Sequence, residues 1–237
     1  SEILNSMKDK NGRVVIDGFY NGIDIDEKTL KILKEVPDNE LKMKDKMQFK
    51  TPDNVASTYQ ESIQYPSLNV RGIQSGWVGD EVRTIVPSEC VAEIDVRLVL
   101  ESDASTLINL IKNHIENLGY LVLDRRPSKD ERLKNDKIIT MNYSTAYDAY
   151  RTEIDSFIGK WLINSLRNTF NVEPVKIRTS GGSVPISPFV KILNIPAVSV
   201  PTVNKDNNQH SPNENIKISN YIRGIEAYLG ILLEDLN

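Results

Sequence analysis

The chain has 237 residues, 39% hydrophobic and 26% charged, with a formal net charge of −4 and a pI near 5.4. This is the composition of a globular protein with room for one large or two modest cores. The acidic balance argues against a nucleic-acid partner, whose phosphates need a basic face, and no apolar run approaches the roughly eighteen residues that span a bilayer.

Residues 2–7 read as the tail of a helix, with the KDKNG turn and Gly12 as its stop. A helix beginning at the first residue predicts that more chain precedes Ser1 in a parent protein. Ser1 to Lys10 has no basic start followed by an apolar block, so no signal peptide is expected there. RVVIDGFY then reads as a short strand. From Asp24 to Tyr65 the chain is polar, with Lys42, Lys44, Lys46 and Lys50 close together; the interleaved Asp45 favours a solvated helix face over a basic patch.

SLNVRGIQSGW reads as a strand, and RTIVPSECVAEIDVRLVL contains a longer one. There Cys90, Ala92, Ile94, Val96 and Leu98 alternate with Val91, Glu93, Asp95, Arg97 and Val99, the period of an antiparallel strand with one covered face. Cys90 is the single cysteine and forms no internal disulfide, so cytoplasm is the default location. SDASTLINLIKNHIENLG follows as a helix capped by Asp103, striped by Leu107, Ile108, Ile111, Ile115 and Leu118, and ended by Gly119. YLVLDRR returns as a strand. Residues 1–146 therefore predict an α+β sandwich with helices on one face of an antiparallel sheet.

Past Tyr147 the pattern changes. Ile154, Phe157, Ile158, Trp161, Leu162, Leu166 and Phe170 form a helical stripe. PVKIR reads as a strand leading into the turn TSGGS, PISPFVKILN as a helix, and PAVSV as a buried strand. After the loop NNQHSPNENI, Ile222, Ile225, Leu229, Leu232 and Leu236 mark a last helix opened by Ser219. This is α/β order, yet two strands do not make a doubly wound sheet, so residues 147–237 read as the end of a larger α/β domain. No internal repeat or low-complexity tract is present.

Only two histidines occur. His210 is open to three readings: metal ligand, general base or hydrogen-bonded loop residue. Spacing alone favours the last, because no second histidine lies three or four residues away and no cysteine pair accompanies it. His114, inside the amphipathic helix, reads as structural. Ser183 as a hydrolase nucleophile fails the G-x-S-x-G elbow, since Val184 and Pro185 follow it. TSGGS is either an anion-holding turn or a plain connection. Arg97, beside Glu93 and Asp95, fits a surface ion-pair ladder as well as it fits substrate binding.

Four segments in order, LNSMKDKNGRVVIDGFY, NVRGIQSGWVGDEVRTIVPSECVAEIDVRLV, RTSGGSVPI and QHSPNENI, resemble the dizinc metallopeptidase superfamily of aminoacylase, carboxypeptidase and succinyl-diaminopimelate desuccinylase type. The branch they look most like is that of the cytosolic non-specific (carnosine) dipeptidases. The resemblance covers nearly the whole chain and is weakest between Asp24 and Tyr65. It implies an α+β sandwich lid (dimerisation) domain over residues 1–146, then the C-terminal part of an α/β zinc-peptidase catalytic domain over 147–237. By the same resemblance His210 is a zinc ligand at the substrate site and Ser183 contacts substrate. Arg97 binds the substrate carboxylate, and Thr84 of TIVP reaches into the neighbouring subunit's site.

Where many relatives carry an arginine near the paired glycines, this chain reads Arg178, Thr179, Ser180. The family's other ligands (a His-x-Asp motif, a bridging Asp, a Glu-Glu pair that includes the general base) are not in this sequence, so no catalytic residue is expected in it. The implied protein is a homodimeric hydrolase with a pair of zinc ions, manganese or cobalt suiting similar donors. It would cut a small peptide or acyl-amino acid beside a free carboxylate, and this chain alone would be inactive. The alternative is a non-catalytic dimerisation or binding module. Neither a nucleic acid nor a membrane is expected as a partner.

Overall fold

The computed structural model describes residues 1–236. The chain is a mixed α/β polypeptide that divides into two compact units, Ser1–Glu27 with Asp38–Ala149, and Lys28–Pro37 with Tyr150 onward. Its helices and strands, in order, are α1 (Glu2–Met7), α2 (Glu27–Glu35), α3 (Glu40–Met47), α4 (Tyr59–Ser62), β1 (Ser67–Ser75), β2 (Cys90–Arg97), α5 (Ala104–Asn117), β3 (Leu121–Leu123), α6 (Lys129–Lys134), β4 (Ile138–Thr140), α7 (Phe157–Phe170), α8 (Ser187–Leu193) and α9 (Ile218–Leu233).

In the first unit, α5 is the organising helix. Asp103 caps it by accepting from Thr106 N at 2.7 Å, and Gly119 ends it at φ +85°. Leu107, Ile111 and Ile115, on one stripe, sink into a core with Met7, Val14, Ile16, Phe19 and Leu68. β1 and β2 form an antiparallel ribbon with a bulge between Val70 and Gly72. The alternation along β2 holds for its second half: Ile94, Val96 and Leu98 pack on the core, whereas Cys90 and Ala92 are exposed. The ribbon outruns the core, so its outer half has nothing to cover it among the described residues.

Three expectations for this unit are corrected. RVVIDGFY makes no strand; a single bridge joins Lys8 and Val14, and the rest is turns. Val14, Ile16 and Phe19 are still buried, but Gly18 at φ +77° folds the segment back and Tyr20 OH takes the Val14 N–H at 3.0 Å. The single antiparallel sheet is also not formed: β1 and β2 make one two-stranded antiparallel sheet, and β3 and β4 make a separate two-stranded parallel one. Neither β4 nor α6 was expected. α6 is started by a Ser128–Glu131 capping box, a signal the sequence does contain. The lysines of α3 lie on a helix with no buried residue, a solvated face.

In the second unit α7 packs against α9 through small residues. Ser165 is fully buried, and so nearly are Gly224 and Ala227; a Cβ on Gly230 would lie 1.9 Å from Thr169 Oγ1. PVKIR and PAVSV form no strands, and Val175, Ile177 and Val198 are exposed. Short segments without neighbouring strands gain too little to hold an extended pairing. α9 begins after Lys217 rather than at Ser219, and its apolar stripe faces solvent, with Leu232 82% exposed. The stripe is apolar, as its spacing predicts, but has no covering element among the described residues.

Candidate functional site

Thr84 and Arg97 belong to the ribbon of the first unit, Ser183 and His210 to separate loops of the second. Thr84 lies at the ribbon's far end. Ser75 Oγ donates to Glu89 O at 3.0 Å across the neck, and Arg126 pairs with Glu89. Gly76, at φ +58°, approaches Pro87 so closely that a Cβ there would lie 2.9 Å from its Cγ. A short 3₁₀ turn spans Gly79–Glu81, and Ile85 N donates to Arg83 O at 2.9 Å, which puts Thr84 at the apex of a three-residue turn. The Arg83 guanidinium stacks 5.1 Å from the Trp77 ring centroid. Residues 76–90 are exposed throughout.

Arg97 ends β2 and donates from Nε to Asp95 Oδ2 at 2.6 Å, while Arg71 pairs with Glu93 at 3.0 Å. The ion-pair ladder on the polar face is therefore present. Nearer the core, Arg125 makes a two-pronged contact with Glu131, which also accepts from Ser128 N; these donors hold the Glu131 carboxyl down to about 2.

His210 occupies a loop built by asparagines. Asn204 accepts from Lys217 N at 3.0 Å and donates to Asp206, while Asn207 O accepts from Asn215 N at 2.9 Å, closing the base. Asn204 and Asn207 are both 8% exposed. The amide of Asn204 and the ammonium of Lys217 hold the Asp206 carboxyl below its usual range. Asn208, His210 and Asn213 all take positive φ, 53°, 62° and 64°, conformations disfavoured by a Cβ. The loop is thus folded back tightly, and His210 projects from it exposed. The asparagines were legible only as loop composition; their scaffolding role comes from long-range contacts. His114, by contrast, meets Ser6 Oγ at 2.8 Å, a structural contact between α5 and α1.

Ser183 lies exposed in the turn before α8, whose Ser187 is buried and whose Asn194 ends it at φ 51°. Among the described residues, no three His, Cys, Asp or Glu side chains gather to hold a metal, so the donors present do not fit a metal centre by themselves. An open groove of about 510 Å³ beside α7 and α9, with Phe170, Thr202 and Arg223 on its walls, contains none of the four candidates. No helix among the described residues is long and apolar enough to cross a membrane.

The chain is 25% identical to a Cys-Gly metallodipeptidase of Candida albicans over 98% of its length and 46% of the relative's. It is 24% identical to the human Beta-Ala-His dipeptidase, covering 98% of the chain and 44% of that protein. An M20 family metallo-carboxypeptidase from Sulfolobus solfataricus superposes with a TM-score of 0.75 at 27% identity, over 98% of this chain and 50% of that one. The human carnosine dipeptidase 1 structure shares the fold, with a TM-score of 0.70 at 22% identity over 98% and 47% of the two chains. The chain thus spans about half the length of the relatives it matches. The model of the peptidase dimerisation domain matches residues 1–121, just over half of the 237. The chain belongs to the peptidase dimerisation domain family, within the M20 metallopeptidases and near their dipeptidase branch.

Proposed function

We propose that this chain is the lid and C-terminal part of a metal-dependent dipeptidase. The substrate would be a small peptide or acyl-amino acid cut beside its free carboxylate. The observation that carries this reading is the match to metallodipeptidases along 98% of the chain, on both sides of the boundary between the two units. Residues 1–146 would be the dimerising lid and 147–237 the catalytic part.

Within that reading His210 is the chain's one metal donor, held outward by the Asn204 and Asn207 scaffold. Arg97 and Ser183 receive the substrate's carboxylate and backbone, and Thr84 serves the site of a neighbouring copy. A guanidinium and hydroxyls suit a carboxylate, the cation giving attraction and the fixed donors giving orientation. Zinc is the proposed metal, with manganese and cobalt suited to the same donors. The reading includes a homodimer and a cytoplasmic location, the exposed, unpaired Cys90 fitting a reducing compartment.

Replacing His210 by Ala in the protein as its cell makes it tests this. The expected result is less bound metal and most of the dipeptidase rate lost, with the fold retained. Unchanged metal content and rate would reject His210 as a ligand.

A second reading, a non-catalytic dimerisation module, is favoured by the ribbon itself. Neither outer edge of β1–β2 pairs with another strand among the described residues, and Val70, Ile73 and Val91 are exposed along it. Sedimentation separates the outcomes: a monomer at high concentration removes the dimerising role.

A further inference from the structure

The end of the β1–β2 ribbon is exposed from Gly76 to Cys90, so no core holds it in shape. Its order must come from local contacts. The neck is closed by Ser75 with Glu89 and by the close approach of Gly76 to Pro87. Beyond the neck, Trp77 on the outgoing limb and Arg83 on the returning limb stack at 5.1 Å. Arg83 is the residue before Thr84, and its carbonyl accepts the Ile85 N–H that closes the turn around Thr84. Freezing the Arg83 side chain against Trp77 therefore also limits where the Thr84 hydroxyl can point.

We infer that Trp77 and Arg83 form a clasp that fixes the turn presenting Thr84, making them positioning residues for the site Thr84 serves. The inference rests on the proposed role of Thr84. A planar guanidinium lying on an indole keeps its charge in water while its face is covered, so the clasp can stand at an exposed tip. An exposed pair of this kind biases the ordered form by about two- to fivefold. That is also the size of loss its removal should cause.

The test uses the protein as its cell makes it, with zinc or manganese added and a Cys-Gly dipeptide as probe. Thr84→Ala, Trp77→Ala, Arg83→Ala, the doubles with Thr84→Ala, Trp77→Phe, which keeps an aromatic face, and Arg83→Lys, which keeps only the charge, are compared for kcat and KM. Hydrogen exchange at the Ile85 amide gives a second readout that does not depend on activity. The expected result is a loss of kcat/KM for Thr84→Ala, with Trp77→Ala and Arg83→Ala lowering kcat/KM about two- to fivefold through the same parameter. Neither should add to the loss in the Thr84→Ala background, since both act through that residue. Ile85 exchange should speed up in both alanine variants, Trp77→Phe should stay near wild type because it keeps a ring face, and Arg83→Lys, which lacks the planar guanidinium, should fall between wild type and Arg83→Ala.

If Thr84→Ala loses activity while the clasp variants keep wild-type kinetics and Ile85 exchange, the clasp is overturned and the role of Thr84 stands. Losses that add fully to Thr84→Ala overturn it as well. A fully active Thr84→Ala variant overturns the role of Thr84 and, with it, the positioning of Thr84 by the clasp.

Discussion

Replacing Ile111 by Ala tests the packing that holds the first unit together. Ile111 is 4% exposed at the centre of the α5 stripe, between Leu107 and Ile115. The change removes three carbons, or about 2.4 kcal/mol of transfer free energy at roughly 0.8 per methylene. A residual cavity adds to this, and buried Ile→Ala changes fall at about 2–5 kcal/mol. The better helix propensity of Ala returns about 0.5 kcal/mol, which leaves a net loss of about 3 kcal/mol. Native-state hydrogen exchange of the α5 amides reads this unit specifically, and about 3 kcal/mol means roughly a hundredfold less protection. Asn113→Ala, on the exposed face of the same helix, is the control and should change protection only by its helix-propensity gain, at most about 0.7 kcal/mol in the stabilising direction. Equal effects from the two variants, or a loss below about 1 kcal/mol for Ile111→Ala, would refute this account of the core.

Other consequences follow from single contacts. Gly12→Ala should destabilise by about 1–3 kcal/mol in a thermal melt, since Gly12 has φ +83° and a Cβ would lie 2.1 Å from Asp53 Oδ1, displacing the partner of Lys8. Gly159→Ala sets a helix-propensity gain of about 1 kcal/mol against a Cβ 2.3 Å from the Ile154 carbonyl oxygen. That backbone cannot rotate away, so overpacking wins and denaturant melts should show a less stable protein. Glu131 has its carboxyl lowered to about 2 from an ordinary 4.5, so its contribution to stability is complete above about 4.5 and fades as pH falls toward 2. Glu131→Gln should flatten that acid limb, and salt should weaken the effect because the pair is exposed.

Local signals made much of the chain legible. α5 was readable from its cap, stripe and terminal glycine because all three depend on residues within a few positions. β2 was readable from period two. The outer half of β2 was misread as covered, because alternation reports which side chains share a face and not how far the core extends beneath them. PVKIR, PAVSV and the α9 stripe fail for a related reason: apolar residues predict burial only where another element arrives to bury them. YLVLDRR was legible as a strand and contains β3, whereas β4, three residues long, is too short for a period, and the parallel pairing went unseen with it. For the site, spacing left His210 an ordinary loop residue, and only the order of four motifs pointed further. The Trp77–Arg83 clasp spans six positions across a turn, a separation that no helix or strand period brings to attention.

The most direct measurement is dipeptide hydrolysis with added zinc or manganese, comparing this 237-residue polypeptide with the protein as its cell makes it. The account predicts metal-dependent hydrolysis by the cellular protein and none by the 237-residue chain, in which no three His, Cys, Asp or Glu among the described residues gather around a metal. Metal-dependent hydrolysis by the 237-residue chain, or none by the cellular protein, would contradict it.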